Sequence, residues 1–459
     1  MKNPLTIIFL LVLGIFSLSL TVYITTLKTI GNVNAESNSN GNQVYLQKSG
    51  DQGTKLDIVA IPVNFTNISN FKEILQQVYF KGISNDHAGL FQTEPFSLYK
   101  QKFNISFINK NLDESKFNCV TEIQPNPPPG RPSEWFTCDG AKIFDAYKAY
   151  KPDKILLVID GKPGDSYATP SLFALNTSNR SSGLVNIFIH EFAHSFGGLA
   201  DEYDIPLNAQ SYEGFINMSY DYYYKNNVRN FPNIDTVGCQ KWCAGYDVNK
   251  LIQQNTTCAS NTSKSSCESN SCFWFGTKHP VFGTNCVVRS NSMPTGLSVD
   301  IGLSCKPNTG CYYGANYGPL AFRSTSLNIM NSYSVDAQFA PPAKEFMSQA
   351  LSCCYPRNTK STECKSFFDT WTKKYTRNEG IPESIQQIAF CGTSVPAIAN
   401  PLTDAVLFQD TIFGFYNYDQ PKINDWIAFY NDGNAPPNAS IALDKYTEWK
   451  CDQYQGSCT

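Results

Sequence analysis

The chain has 459 residues, of which 42% are hydrophobic and 14% aromatic, and its formal net charge is -3. This length and composition predict a sizeable core in one large or two modest domains. The slightly acidic charge balance argues against a nucleic-acid partner, because nucleic-acid binding requires a basic patch.

The chain begins with an apolar run at residues 5–27, with one lysine before it and one after it. A run of this length is typical either of a secretory signal or of a single membrane anchor. The small residues of Val33-Asn34-Ala35 slightly favour a signal peptide cleaved before Glu36. Both interpretations of residues 1–35 predict that the bulk of the chain is secreted or membrane-anchored outside the cytoplasm.

Residues 36–55 are polar and rich in Gly and Asn, which predicts a flexible linker. A mixed α and β domain is predicted to follow at residues 56–355. Apolar runs and helical spacing predict its early elements, with strands at residues 56–65 and 154–160 and helices at residues 71–79 and 141–150. Cys119 and Cys138 flank a proline-rich surface loop that a disulfide between them would close.

Residues 182–203 read SGLVNIFIHEFAHSFGGLADEY and contain an HExxH motif from His190 to His194. In a helix the two histidines lie one turn apart on the same face, and Glu191 lies beside them within reach of a metal-bound water. The flanking residues are apolar almost all round, and a Gly-Gly pair supplies a helix stop. The alternative is a structural core helix, but such a helix gains nothing from an ionisable Glu between two histidines.

A zinc site needs a third protein ligand and one open position for water. In the metzincin pattern the third ligand follows three residues after the glycine that ends the helix. Counting from Gly197 gives Ala200, which cannot bind a metal, whereas counting from Gly198 gives Asp201. Glu202 is a rival ligand, and a solvated acidic corner is the other interpretation of the pair. Two imidazoles and one carboxylate suit Zn²⁺.

The segment HEFAHSFGGLADEY resembles the active-site signature of the bacterial immunoglobulin A-cleaving metallopeptidase family, HEFGHS followed by LxDEY. Ala193 stands where glycine is usual. Four further segments are similar to the family's strands and its Met-containing turn, at residues 56–65, 94–105, 154–160 and 322–333. The resemblance spans residues 56–354 and implies an α+β, zincin-like metallopeptidase domain that hydrolyses peptide bonds.

Within the Met-turn-like segment, Met330 is predicted to form an apolar floor beneath the metal, or else to be an ordinary core methionine. Tyr333 and Tyr203 are equal candidates to donate a hydrogen bond to the developing oxyanion. A strand at the edge of the substrate cleft, able to bind peptide backbone, is expected within residues 161–180.

Sixteen cysteines are present, and ten of them lie between Cys239 and Cys354. In an exported chain this number predicts several disulfides rather than metal ligands. We therefore expect a cysteine-rich insert at residues 239–311. Residues 356–459 contain no recognised catalytic motif and are predicted to form a small C-terminal extension or accessory domain.

Together these features predict an extracytoplasmic zinc endopeptidase whose catalytic domain is residues 56–355. Glu191 is expected to take a proton from the zinc-activated water and to pass it to the leaving amine of a protein or peptide substrate. The alternative is a cysteine-rich extracellular binding or adhesion protein that retains a non-catalytic zincin fold. Immunoglobulin A as the substrate would be an analogy only, because specificity resides in the cleft loops.

Overall fold

A computed structural model of the protein describes residues 42–83, 88–123, 134–168, 172–179, 183–202, 231–235, 239–244, 253, 255–270, 272–274, 278, 283–288, 304–315, 318–332, 338–356 and 361–367. Among these residues no helix is both long enough and apolar enough to cross a membrane. The predicted signal or anchor at residues 1–35 and most of the predicted extension at residues 356–459 lie outside the described part of the chain.

The described residues form the strands β1 (Gln43–Gln47), β2 (Leu56–Val63), β3 (Phe103–Ile108), β4 (Val120–Ile123), β5 (Glu134–Thr137), β6 (Lys154–Ile159), β7 (Tyr167–Ala168), β8 (Leu172–Asn176), β9 (Ile234–Asp235), β10 (Cys243–Ala244), β11 (Phe273–Trp274), β12 (Cys286–Val287), β13 (Ser304–Cys305), β14 (Tyr312–Ala315) and β15 (Gly318–Arg323). The helices are α1 (Ile68–Gln76), α2 (Gly140–Tyr147), α3 (Leu184–Gly197), α4 (Thr256–Ala259), α5 (Lys264–Ser269) and α6 (Pro341–Cys354). A π-helical turn (Gln77–Lys81) and short 3₁₀ segments (Leu90–Gln92, Phe96–Lys102, Lys148–Tyr150 and Thr177–Asn179) complete the regular structure.

The largest sheet has six strands in the order β1-β3-β2-β6-β8-β7. Its four central strands are parallel, whereas the edge strands β1 and β7 run antiparallel to their neighbours. Strands β2 and β6 are buried along their whole length. Apart from Asp57 and Lys154 their sequences are apolar, as expected of a parallel sheet that is covered on both faces.

Strand β1 lies inside the predicted linker, residues 36–55, so the linker prediction is wrong at this point. Tyr45 and Leu46 are buried, and the Gln43 side-chain amide donates a hydrogen bond to Ser106 Oγ in β3 at 2.9 Å. The apolar centre of this strand is only three residues long and is flanked by Gln, Asn and Gly, so the surrounding composition concealed it.

Alternate side chains of the large sheet enter two separate cores. On one face, Ile58, Leu156 and Phe173 pack with helices α1, α3 and α6. On the other face, Val59 and Leu157 pack with helix α2. Helices therefore cover both faces, and the sheet is the middle of three layers. The prediction of a mixed α and β fold is confirmed at this level.

A row of stacked aromatic rings fixes helix α3 to the first of these cores. Phe188, Phe192 and Phe196 lie four residues apart, and their rings stack in sequence along the helix. Phe192 makes edge-on and tilted contacts with Phe96 and Phe173. Burial of one such side chain contributes about 1.5–3 kcal/mol. The aromatic row thus anchors the helix to the sheet.

Helix α3 ends at Gly197 and is capped by Gly198, which has the left-handed conformation with φ 56° and ψ 32°. Its N–H donates to the backbone carbonyls of Ala193 and His194, and this arrangement satisfies the last turn. A residue two positions further along a helix lies about 200° around the axis. His190 and His194 follow two members of the aromatic row by two positions, so they project from the opposite side.

Strands β9, β14 and β15 form a second sheet in the order β14-β15-β9, which we call the stapled sheet. The disulfide Cys239–Cys311 lies at its border, since Cys311 immediately precedes β14, and Cys243–Cys305 joins β10 and β13 in a separate two-stranded sheet. One apolar cluster beside the stapled sheet contains Ala200, Phe231, Ile234, Ala315 and Ala321, and the rings of the buried Tyr313 and Phe322 pack together across β14 and β15. Disulfides add to the cohesion that these apolar contacts give.

Four further disulfides have both partners among the described residues, Cys119–Cys138, Cys258–Cys272, Cys267–Cys286 and Cys353–Cys364. Two of them staple α4, α5, β11 and β12 into a small module within the predicted insert. The prediction of disulfides, including the bond that closes the proline-rich loop, is confirmed. Disulfides in this number indicate an extracytoplasmic protein.

Candidate metal centre

Three potential ligand atoms converge at the end of helix α3. The two histidine Nε2 atoms, of His190 and His194, lie 2.9 Å apart. Asp201 Oδ1 lies 3.0 Å from the first and 3.1 Å from the second. His190 and Asp201 are buried, and the His194 side chain is 13% exposed. The helix and the loop after its glycine stop therefore bring the two histidines and the aspartate together.

Each histidine is oriented by a backbone carbonyl on the other side of its ring. His190 Nδ1 lies 2.9 Å from the Ile329 carbonyl oxygen, and His194 Nδ1 lies 2.7 Å from the Leu199 carbonyl oxygen. A carbonyl oxygen can only accept a hydrogen bond, so each Nδ1 carries a proton. In the neutral tautomer the Nε2 atom then presents its lone pair to the cluster, as a metal-binding histidine does.

The spacing of the three atoms fits a single small cation. Zinc in a tetrahedral site binds nitrogen and oxygen at about 2.0–2.2 Å, which places neighbouring ligand atoms about 3.3 Å apart. The three separations in the cluster, 2.9–3.1 Å, are close to that value. Among the described residues one other group has metal-ligand spacing, but its cysteines, Cys258, Cys272 and Cys286, are in disulfides.

Within the cluster, charge and burial shift the pKa values of His194 and Asp201 in opposite directions. Burial would lower the pKa of His194, but the charge and hydrogen bond of Asp201, together with the Glu191 charge, raise this pKa to about 9. Burial would raise the pKa of Asp201, but both histidines hold it well below its usual range. A metal ion bound here would have to displace the proton that the raised pKa favours on His194.

Glu191 lies next to His190 in helix α3 and is 7% exposed. Its charge acts on the His194 imidazole, so its carboxylate lies near the cluster. A carboxylate beside a metal site, not itself among the converging atoms, is available for proton transfer.

The rival ligand, Glu202, is fully buried and points into a pair of side-chain amides. Its Oε1 accepts from Asn233 Nδ2 at 2.9 Å, and its Oε2 accepts from Asn328 Nδ2 at 2.6 Å. Burial raises the pKa of Glu202 to about 7, against the lowering effect of these two hydrogen bonds. Of the two adjacent acids, the structure thus brings Asp201 to the histidines and Glu202 to the amides.

The predicted Met turn lies against this cluster. Met330 is fully buried, its N–H donates to Asn328 Oδ1 at 2.8 Å, and its carbonyl accepts from the Glu202 N–H at 2.8 Å. The preceding carbonyl, of Ile329, is the one that orients His190. The other two residues of the predicted site, Tyr203 and Tyr333, lie outside the described residues.

Sequence reasoning missed the two amides that hold Glu202. Asn233 precedes strand β9, and Asn328 lies in the Met turn. Neither belongs to a motif, and the chain is rich in Asn, so no signal in the sequence distinguished them from the other asparagines.

No protein-family model matches the chain, and no curated protein matches its sequence at a significant level. The function is therefore inferred from the geometry of the site and from the chemistry of its residues.

Proposed function

We propose that the protein is an extracytoplasmic zinc endopeptidase with a zincin-like catalytic domain at residues 56–355. The observation that carries the proposal is the convergence of His190 Nε2, His194 Nε2 and Asp201 Oδ1 within 2.9–3.1 Å of one another. Two carbonyl-oriented imidazoles and one carboxylate are a donor set that zinc prefers. The acidic residue inside the HExxH motif, Glu191, adds the base that hydrolysis requires.

His190, His194 and Asp201 would hold the metal. Zinc in such a site lowers the pKa of a coordinated water to about 7 and polarises a carbonyl group. The hydrogen bonds from the two Nδ1 atoms to backbone carbonyls keep both rings in the binding tautomer and prevent their rotation.

The chain's own contribution to proton transfer is assigned to Glu191. Its carboxylate accepts a proton from the attacking water and delivers that proton to the nitrogen of the leaving amine. Asp201 is engaged with both imidazoles, and Glu191 is the buried carboxylate whose charge acts on His194. Tyr203 and Tyr333 remain candidates for donating to the oxyanion of the tetrahedral intermediate.

Strand β7 is a candidate docking edge for the substrate backbone. Among the described residues it is the last strand of the large sheet and pairs with β8 alone, and it packs against helix α3. An extended peptide can add to such an edge through main-chain hydrogen bonds. The position agrees with the cleft-edge strand expected within residues 161–180.

The test compares the purified wild-type protein with His194→Ala and Glu191→Gln. Elemental analysis should find about one zinc per chain in the wild type and in Glu191→Gln, and little in His194→Ala, because only the last substitution removes a ligand. Cleavage of a peptide library should occur with the wild type alone. A wild-type protein without zinc, or near wild-type turnover by Glu191→Gln, would contradict the proposal.

A further inference from the structure

The loop that carries Asp201 is held by hydrogen bonds on both sides of this residue. On one side, the Asn233 side chain accepts from the Ala200 N–H at 2.9 Å and donates to the Ala200 carbonyl at 2.7 Å. On the other side, the Glu202 N–H donates to the Met330 carbonyl at 2.8 Å. The backbone is therefore fixed immediately before and immediately after the aspartate.

A single buried carboxylate connects these two attachments. Asn233 Nδ2, which donates to the Ala200 carbonyl, also donates to one oxygen of Glu202. Asn328 Nδ2 donates to the other oxygen at 2.6 Å. Asn328 in turn accepts from the Met330 N–H and donates to Thr325 Oγ1. Glu202 thus joins two segments that are 31 and 126 residues away in sequence.

The charge of Glu202 has a counter-charge within the stapled sheet. Arg323, the last residue of β15, is buried and acts electrostatically on Glu202, and its guanidinium donates to the Gly314 carbonyl. A carboxylate buried without partners would be strongly destabilising. The Glu202 carboxylate therefore depends on all of its hydrogen-bond and charge partners. Its members come from β15, from the segment before β9 and from the Met turn.

We propose that Glu202, with Asn233 and Asn328, is a positioning residue that sets the Asp201 carboxylate against the two imidazoles and thereby determines the affinity for zinc. This inference rests on the zinc site proposed above and deepens it. Glu202 acts through the loop and does not itself bind the metal. Removal of such supporting hydrogen bonds in other metal sites typically weakens metal affinity by about 10–100-fold.

The primary variant is Glu202→Gln, which preserves size and replaces one oxygen by an NH₂ group. That group faces an amide that is itself a donor, so one of the two hydrogen bonds is lost. We expect zinc to bind about 10–100-fold more weakly, measured by competition with a chromophoric chelator. The matched control is Glu345→Gln at an exposed ion pair with Lys306, for which no change in zinc affinity is expected.

A double variant that exchanges the donor and the acceptor between Glu202 and Asn328 distinguishes a positioning role from an effect on overall stability. In the double variant Glu202→Gln and Asn328→Asp, the glutamine NH₂ donates to the new carboxylate and the net charge of the pair is preserved. The new aspartate can still accept from the Met330 N–H. We expect most of the zinc affinity to return, whereas Asn328→Asp alone, which opposes two carboxylates, should bind zinc as weakly as Glu202→Gln.

The visible absorption spectrum of the Co²⁺-substituted protein gives a second readout. A displaced Asp201 changes the cobalt coordination and hence the spectrum, whereas a merely less stable but correctly assembled protein keeps the wild-type spectrum. A Glu202→Gln variant with wild-type zinc affinity and cobalt spectrum would overturn the inference. If that variant does not fold, a folded double variant that lacks zinc would overturn it equally.

The outcomes also distinguish this inference from the proposed function. A wild-type protein that binds no zinc refutes the metal site and, with it, the positioning role. A wild-type protein that binds zinc, combined with an unaffected Glu202→Gln variant, refutes the positioning role alone.

Discussion

The large sheet and the stapled sheet support different parts of the candidate metal centre, and they are held together differently. Helix α3, which carries both histidines, packs on the large sheet through a row of aromatic rings in an extensive apolar core. The loop with Asp201 also contacts the stapled sheet, through buried Ala200 and the two hydrogen bonds of Asn233, and two disulfides lie beside that sheet.

The difference shows that one site can depend on two sources of rigidity. Apolar burial provides stability in proportion to the area covered, so the large core fixes α3 without specific bonds. The smaller sheet buries less area, and covalent links and buried hydrogen bonds add to its rigidity. Damage to the first region should therefore unfold the protein, whereas damage to the second should loosen metal binding first.

The largest effect is expected from Phe192→Ala in helix α3. Phe192 is fully buried and contacts other aromatic rings on several sides, so its removal leaves a cavity that costs about 3–5 kcal/mol. Denaturant unfolding measures this loss, and zinc should be lost only together with the fold. Leu98→Ala, at a side chain that is 74% exposed, is the control and should change stability by at most about 0.5 kcal/mol.

A more selective effect is expected when the disulfide Cys239–Cys311 is replaced by two alanines. The bond spans 72 residues, and the chain-entropy model assigns such a link about 4 kcal/mol. We expect far-UV circular dichroism of the large sheet to persist while zinc affinity falls. The control is replacement of Cys258–Cys272 in the insert module, which should leave zinc affinity unchanged. Equal losses of zinc affinity in both variants would argue against the division between the two regions.

The smallest effect is expected from pH, which should change folding stability without metal and zinc affinity in opposite directions. The pKa of His194 rises from 6.5 to about 9 on folding without metal, so its contribution to stability is complete below pH 6.5 and disappears as pH rises through 9. Zinc must displace that proton, so its apparent affinity should instead increase about tenfold per pH unit up to about pH 9.

Calorimetric titration in buffers of different ionisation enthalpy would measure the protons released when zinc binds. Release of about one proton per zinc is expected at neutral pH, because the pKa of His194 is raised to about 9. Zinc binding without proton release, or with an affinity independent of pH, would show that the metal-free cluster does not hold the proton assigned to it.

The sequence predicted the helices and strands whose apolar residues recur at regular spacing along the chain. The buried strand expected at residues 154–160 corresponds to β6, and the helix expected around the HExxH motif corresponds to α3. The helix expected at residues 71–79 begins three residues earlier and ends in a π-helical turn. Apolar periodicity and a glycine stop carry this information directly.

The remaining features depend on contacts that leave no local signal. The pairing of Glu202 with Asn233 and Asn328 joins segments far apart in the chain, and asparagine has no distinctive spacing when it supports another residue. The sequence could not decide either which of Asp201 and Glu202 faces the histidines, because both are carboxylates at adjacent positions. Only the packing of the loop between the two sheets separates their orientations.

The burial of helix α3 also has an evolutionary consequence. Twelve of its 14 residues are buried, and at Gly197 an added Cβ would make tight contacts of 3.2 Å with the side chains of Leu199 and Met347. Almost every substitution in this helix would therefore carry a penalty in folding or in chemistry. Under the proposed function, changes in substrate preference would therefore be easier to introduce in the connecting loops than in this helix.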